Sequence, residues 1–229
     1  MSSGEGGAAE AVGVSLREDI SATKRKMKRI ITISRECGSG GRTIGRRLAE
    51  KLGYAFYDKE LIDRVAKESG LAKEFIEEQG EHITGSLLFN IASNMTYAGQ
   101  VFGGHMLPLQ DQLYVVQSDI IKDIAEKEEC VIVGRCADYI LKDRKDAIHV
   151  FIHASIEDKI ERAVNDYGFD RDGVEKSLRK KDKARANHYR YYTDAEWGKT
   201  QNYDITLNSS TCGLDGCVDI LYTIVKELD

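Results

Sequence analysis

Five short apolar runs alternate along the chain with segments whose apolar residues recur every three or four positions. Ile30-Ile31-Thr32-Ile33, Cys130-Val131-Ile132-Val133 and Ile148-His149-Val150-Phe151-Ile152 are nearly continuous, as strands buried on both faces are. Tyr54-Ala55-Phe56-Tyr57 and Ile205-Thr206-Leu207 read as two shorter strands. Ile44, Leu48 and Leu52, with Arg46, Arg47, Glu50 and Lys51 between them, predict an amphipathic helix closed by Gly53. Further helices are expected over 59–69, 71–78 and 111–128. Another starts behind Ser155 as N-cap, a long polar one spans about 172–192, and the last runs from 215 to 227. Residues 71–110, punctuated by glycines and closed by Pro108, read as a helical insertion outside the sheet. Strands alternating with helices imply a parallel sheet covered on both faces, with ligands at the carboxyl ends of its strands. The glycine-rich loop after Ile33, Asp58, Arg135 and His153 all fall at such ends.

That loop carries the strongest chemical signal. Between the first strand and the first helix lie Gly38, Ser39, Gly40 and Gly41, followed by Arg42 and Thr43. Glycines let the backbone approach an anion, and the first turn of a helix offers N–H groups and the positive end of its dipole. Thr43 in that turn has the hydroxyl that ligands a phosphate-bound magnesium ion. The usual pattern ends Gly-Lys-Ser/Thr, and this loop has no lysine. One register puts Arg42 at the lysine position and Glu36 at the first glycine; the other, which fits the helix without a gap, puts Gly41 at the lysine position and Arg35 at the first glycine. We take the second. Arg42 is then one residue along the helix from the lysine position, a rotation of about 100°, so Arg35, Arg42 or a lysine of the basic run over 179–190 must compensate, or transfer is slow.

Composition narrows the setting without changing it. The 229 residues are 41% apolar and 31% charged, with a formal charge of −5, which supplies no field for nucleic acid or an acidic membrane. No apolar run approaches a membrane span. Five cysteines, an odd number without a tight framework, point to a reduced, cytoplasmic setting. Residues 1–26, rich in small residues and ending in a basic run, read as a flexible extension before a single domain over 27–229. His149 and His153 lie too far apart along a strand to share one metal ion, and Tyr189, Tyr191 and Tyr192 beside basic residues lack any nucleic-acid-binding motif around them. The lysines and arginines of 179–190 fit either a solvated face or a phosphate-clamping lid.

The segments ISRECGSGGRTIGRRLAEKLG, FYDKELI, VIVGRCADYIL and DKARANHYRYY, in that order, resemble the cytidylate kinase-like family, a branch of the P-loop nucleoside monophosphate kinases. The resemblance implies a P-loop NTPase fold: a five-stranded parallel sheet of order 2-3-1-4-5, an acceptor-binding helical region over about 59–128 and a basic lid over about 170–195. It implies ATP and Mg2+ as donor pair and CMP or a similar small molecule as acceptor. Gly38, Ser39, Gly40, Gly41, Arg42 and Thr43 would wrap the donor phosphates, with Thr43 on the metal. Asp58, Arg64 and Arg135 would bind the acceptor, and Arg42, Arg135, Lys181, Lys183 and Arg185 would surround the transferring phosphoryl. Val133 and Cys136 stand where cytidylate kinases carry the aspartates that read cytosine. Two other functions stay open: a nucleotide-binding protein without useful catalysis, and a kinase of a non-nucleotide metabolite.

Overall fold

The computed structural model describes residues 30–58 and 108–228. The expectations for residues 1–26, for Arg64 and for the insertion before Pro108 lie outside them. Five strands, β1 (Ile30–Arg35), β2 (Ala55–Tyr57), β3 (Cys130–Val133), β4 (Ala147–His153) and β5 (Ile205–Asn208), form one parallel sheet of order 2-3-1-4-5. Ile30 is level with Cys130 on one side and Ala147 on the other, which aligns the carboxyl ends of the three central strands.

Alternation along these strands builds two cores. Ile31, Ile33, Val131, Val133, Val150 and Ile152 pack against α1 (Gly41–Leu52) through Ile44 and Leu48 and against the last helix of the chain (Ser209–Glu227) through Val218 and Leu221. Ile30, Cys130, Ile132 and Ala147 face α2 (Leu109–Lys127), through Ile121 and Ile124, and the short helix α3 (Ala137–Ile140). Burial on both faces is why these strands read as unbroken apolar runs rather than alternating ones. The exceptions answer each other: Thr32 is level with His149, and its Oγ1 lies 2.8 Å from His149 Nδ1. His149 is therefore half-buried and used inside the fold.

Two more helices follow β4: α4 (Ile156–Tyr167), capped by Ser155, whose side chain accepts the Asp158 N–H at 3.2 Å, and α5 (Val174–Thr193). The last helix, α6, starts six residues earlier than the sequence pattern predicts, and Gly213 (φ 69°) kinks it. Apolar periodicity before that kink is interrupted, which hid the first turn and a half. Among the described residues no helix is long and apolar enough to cross a membrane, and all five cysteines are free thiols.

Candidate functional site

The glycine-rich loop turns sharply because Gly38 and Gly40 take φ of 82° and 80°, in the left-handed region. Gly40 is the N-cap of α1, so Gly41, Arg42 and Thr43 form its first turn, with N–H groups for which the helix itself has no acceptor. This start agrees with the register that sets Gly41 at the lysine position. Ser39 is fully buried; its hydroxyl donates to the Glu36 carbonyl at 2.9 Å, while its own carbonyl accepts from Ser209 Oγ at 2.7 Å. Ser39 thus shapes the loop from within. Arg162 of α4 donates to the Gly38 carbonyl from the same outer side.

Beneath the loop lies a cluster that the sequence did not announce. Lys159 of α4, 7% exposed, donates to Asp182 of α5 at 2.9 Å and to Glu36 at 3.2 Å. Asp182 also accepts the Cys37 N–H at 2.6 Å. Burial works against the Lys159 charge, but Asp182 and Glu36 outweigh it and hold its pKa above 10.5. The signal was present: Ile156, Ile160 and Ala163 form the apolar stripe of α4, and Lys159 lies on it at helical spacing. A lysine on an apolar stripe needs a buried acid, and the loop and α5 each supply one.

A second group of charges gathers in the cavity at the carboxyl ends of β1, β2 and β3. Arg35, Arg135 and Arg185 line it, with Asp58, His188 and Trp197. Arg35 ends β1, Asp58 follows β2, and Arg135 follows β3 by one glycine. Arg185 comes from α5; its Nη1 donates to the Arg35 carbonyl at 3.3 Å and approaches Asp182 at 3.4 Å, so it ties the cavity to the cluster beneath the loop. Gly134, Arg135 and Cys136 all have positive φ, 80°, 59° and 54°. For the two non-glycines this conformation costs of order 1–2 kcal/mol each, and Gln117 steadies it by donating to the Arg135 carbonyl at 3.0 Å. The turn aims Arg135 along the cavity wall.

The other sequence-predicted residues distribute around this frame. Arg42 is half-exposed and paired with Asp58, its Nε 2.6 Å from Oδ2, and it does not line the cavity. Lys181 and Lys183 are exposed on α5, with the Lys181 ammonium 5.7 Å from the centre of the Phe169 ring. Of the three expected lid cations, Arg185 alone reaches the cavity wall. Tyr192 stacks on Tyr114 with ring centroids 3.9 Å apart, and Tyr189 donates to Asp138 at 2.7 Å, so both rings are used inside the fold.

Cys136 fills one of the positions where an aspartate was expected, and its Sγ lies 3.6 Å from His188 Nδ1. Burial, and next the charge of Asp138, pushes its thiol up to about 12. It stays protonated at neutral pH, so the pair is no thiolate nucleophile. Among the described residues no group of His, Cys, Asp and Glu is arranged to hold a metal by itself. Magnesium brought by phosphates needs only one or two protein oxygens; Thr43, in the first turn of α1, has one to give.

The comparisons agree with this architecture. A chain of 28% identity, described as an uncharacterized protein from Eubacterium ventriosum ATCC 27560, superimposes with a TM-score of 0.64 over 86% of this chain and 98% of its own. A gluconokinase from Sinorhizobium meliloti 1021 is similar in fold, with 15% identity, a TM-score of 0.50, and 89% and 97% of the two chains covered. A shikimate kinase from Acinetobacter baumannii follows at 17% identity and a TM-score of 0.49, over 90% and 97%. No curated protein matches the sequence. A profile of the cytidylate kinase-like family matches residues 30–211, taking in the loop, both charged groups and the whole sheet. This chain belongs to the cytidylate kinase-like family.

Proposed function

We propose that this protein is an ATP-dependent kinase that phosphorylates a small phosphorylated acceptor, a nucleoside monophosphate such as CMP. The observation that carries the reading is the cavity beside the glycine-rich loop, lined by three guanidinium side chains against one carboxylate. Phosphoryl transfer asks a protein chiefly for positioning and for positive charge around spreading negative charge. Guanidinium forks bind phosphate oxygens in pairs, which suits an acceptor phosphate and a transferring phosphoryl held side by side.

The residues divide by element. The first turn of α1 offers the N–H groups of Gly41, Arg42 and Thr43 to the donor phosphates, and Thr43 its hydroxyl to the metal. Bound Mg-ATP supplies the phosphoryl group and the metal's charge. Arg135 orients the acceptor phosphate from the turn after β3, and Arg185 closes over the cavity from α5. Asp58, paired with Arg42, accepts a hydroxyl of the acceptor. With Cys136 and Val133 at the expected base-reading positions, discrimination among pyrimidine bases is weaker than in cytidylate kinases with two aspartates.

The test is a transfer assay with Mg-ATP against CMP, dCMP, UMP, AMP and small metabolites, with ATP binding followed in parallel by thermal shift. Turnover of a nucleoside monophosphate supports the kinase reading. ATP stabilisation with no turnover on any acceptor replaces it with a nucleotide-binding protein. Turnover of a metabolite alone moves the acceptor out of the nucleotide class.

A further inference from the structure

The geometry points to Arg35 as the residue that supplies the cationic contact to the donor's transferring phosphoryl, its side chain having exchanged places with the missing side chain at position 41. The inference rests on the donor site proposed above and says which residue of that site carries the charge.

Positions 35 and 41 exclude each other. A Cβ on Gly41 would sit 2.5 Å from Arg35 Cβ and 2.9 Å from its Cγ. Real carbon atoms do not approach so closely, and the obstruction is the root of the side chain, which cannot swing away as its tip can. A chain with a side chain at position 35 therefore has none at position 41. Phosphate-binding loops of the usual kind hold a glycine at the first of these positions and lysine at the second. Here the two residue types are interchanged, arginine at the strand end and glycine on the helix.

The exchange keeps a cation at the same place in the fold. Arg35 rises from the end of β1 past the first turn of α1, where a loop lysine would begin. Its guanidinium then reaches the end of β3, where a Cβ on Gly134 would collide with Nη1. Gly134, with φ of 80°, lets that head lie against bare backbone. The side chain thus runs from the helix start proposed for the donor to the turn proposed for the acceptor, where its guanidinium joins Arg135 and Arg185 on the cavity wall. The Arg185 bond to the Arg35 carbonyl fixes the same residue from the α5 side.

Two other cations near the loop point away from the first turn of α1. Lys159 is bound to two carboxylates below it, and Arg42 points to Asp58. A guanidinium also differs from the ammonium it replaces: its fork can bridge two oxygens at once, on one phosphoryl or across donor and acceptor, where a lysine acts as a point charge.

The experiment compares wild type with Arg35→Ala, Arg35→Lys, Arg35→Gly, and the double variant Arg35→Gly/Gly41→Lys, which restores the usual arrangement. Each is assayed for transfer from Mg-ATP to the best acceptor and for Mg-ATP and Mg-ADP affinity by calorimetry. Arg171→Ala, an exposed change away from the loop, is the control. Arg35→Ala should lower kcat/KM by roughly a hundredfold to a thousandfold, more than Arg42→Ala does, with Arg35→Lys keeping part of it. The loss should fall mainly on kcat and on ATP affinity. The double variant should regain at least about tenfold over Arg35→Gly. Arg35→Ala with wild-type turnover and wild-type ATP affinity overturns the inference and leaves the kinase reading intact. A folded double variant with no gain over Arg35→Gly also overturns it. If wild type binds Mg-ATP without turnover, the kinase reading falls and Arg35 is judged by affinity, where an unchanged Kd in Arg35→Ala overturns it. A wild type that neither binds nor turns over Mg-ATP sinks both.

Discussion

The two charged groups on either side of the glycine-rich loop have nearly the same ingredients and opposite balances. Beneath the loop, one ammonium meets two carboxylates at hydrogen-bond distance and little solvent reaches them. In the cavity, the described lining residues are three guanidiniums and one carboxylate, Asp58, which Arg42 holds, and Arg185 also reaches Asp182 of the cluster beneath. A cluster whose ammonium is shielded from water and matched by carboxylates within the fold loses much if a member is removed. Among its described lining residues the cavity carries more guanidiniums than carboxylates, a balance that suits an anion. The difference sets Lys159, which ties α4 and α5 to the loop, beside the cavity cations proposed above to bind phosphate, and Arg185, in contact with both groups, couples the two.

The largest expected effect comes from opening the closed cluster. Lys159→Ala leaves Glu36 without its ammonium partner and Asp182 with only the 3.4 Å contact to Arg185, and the cost should be about 3 kcal/mol of unfolding free energy, read by urea denaturation. A double variant, Lys159→Met/Asp182→Asn, should recover part of that loss, since it removes charge from both sides. The pH dependence has a definite sign. The Lys159 pKa is raised above 10.5 in the fold, so the contribution is intact below pH 10.5 and is lost as pH climbs through the higher folded value. A Lys159→Ala protein within 1 kcal/mol of wild type at pH 7 would show that this cluster does not hold the loop.

Next is a change in the open cluster that should divorce function from stability. Arg135 sits at φ 59°, where a side chain is strained and glycine is not. Arg135→Gly should therefore hold or raise the melting temperature while weakening acceptor binding by roughly tenfold to a hundredfold, the worth of one charge-assisted contact. Acceptor KM against a thermal melt on the same sample reads both. A large fall in melting temperature with acceptor KM unchanged would place Arg135 with the structural cations.

Much of this arrangement was legible in the sequence because it rests on one-dimensional patterns. Unbroken apolar runs marked β1, β3 and β4, since a sheet covered on both faces leaves no polar phase to see. Gly53 and Ser155 marked a helix end and a helix start through local backbone chemistry alone. The helix α3 went unseen because four residues carry no period and its N-cap, Cys136, is a residue type that does not announce a left-handed turn. The meeting of Lys159, Glu36 and Asp182 depends on α4 and α5 closing over the loop, which no spacing encodes. At positions 35 and 41 the sequence showed two departures from a pattern; in three dimensions they are neighbours, and the bare backbone of Gly41 leaves room for the root of the Arg35 side chain.

A smaller effect tests whether burial, rather than charge, sets these behaviours. Asp138 is buried between Tyr189, donating at 2.7 Å, and Ser34, donating at 3.2 Å. Burial raises its pKa above 3.8 despite those two donors, so the fold prefers the neutral acid, and the carboxyl costs stability increasingly as pH rises above 3.8. Asp138→Asn imitates the neutral form. Its stability relative to wild type should improve between pH 4.5 and pH 7.5; a difference independent of pH would mean that the folded carboxyl titrates as an exposed one does.

The smallest effect is the sharpest control on the comparison. Arg171 donates to both oxygens of Glu161, at 2.9 and 3.2 Å, a better geometry than Lys159 achieves with either of its partners. Both side chains are open to solvent, at 62% and 54% exposure. Water solvates the charges as well as they solvate each other, and at physiological ionic strength salt screens them over about 8 Å. Arg171→Ala should leave the melting temperature unchanged within error, at low salt and at high. If it cost as much as Lys159→Ala, hydrogen-bond geometry would be the deciding variable, and the closed cluster would owe its importance to its distances alone. If it costs nothing, the same kind of bond matters beneath the loop because the fold has taken it out of water.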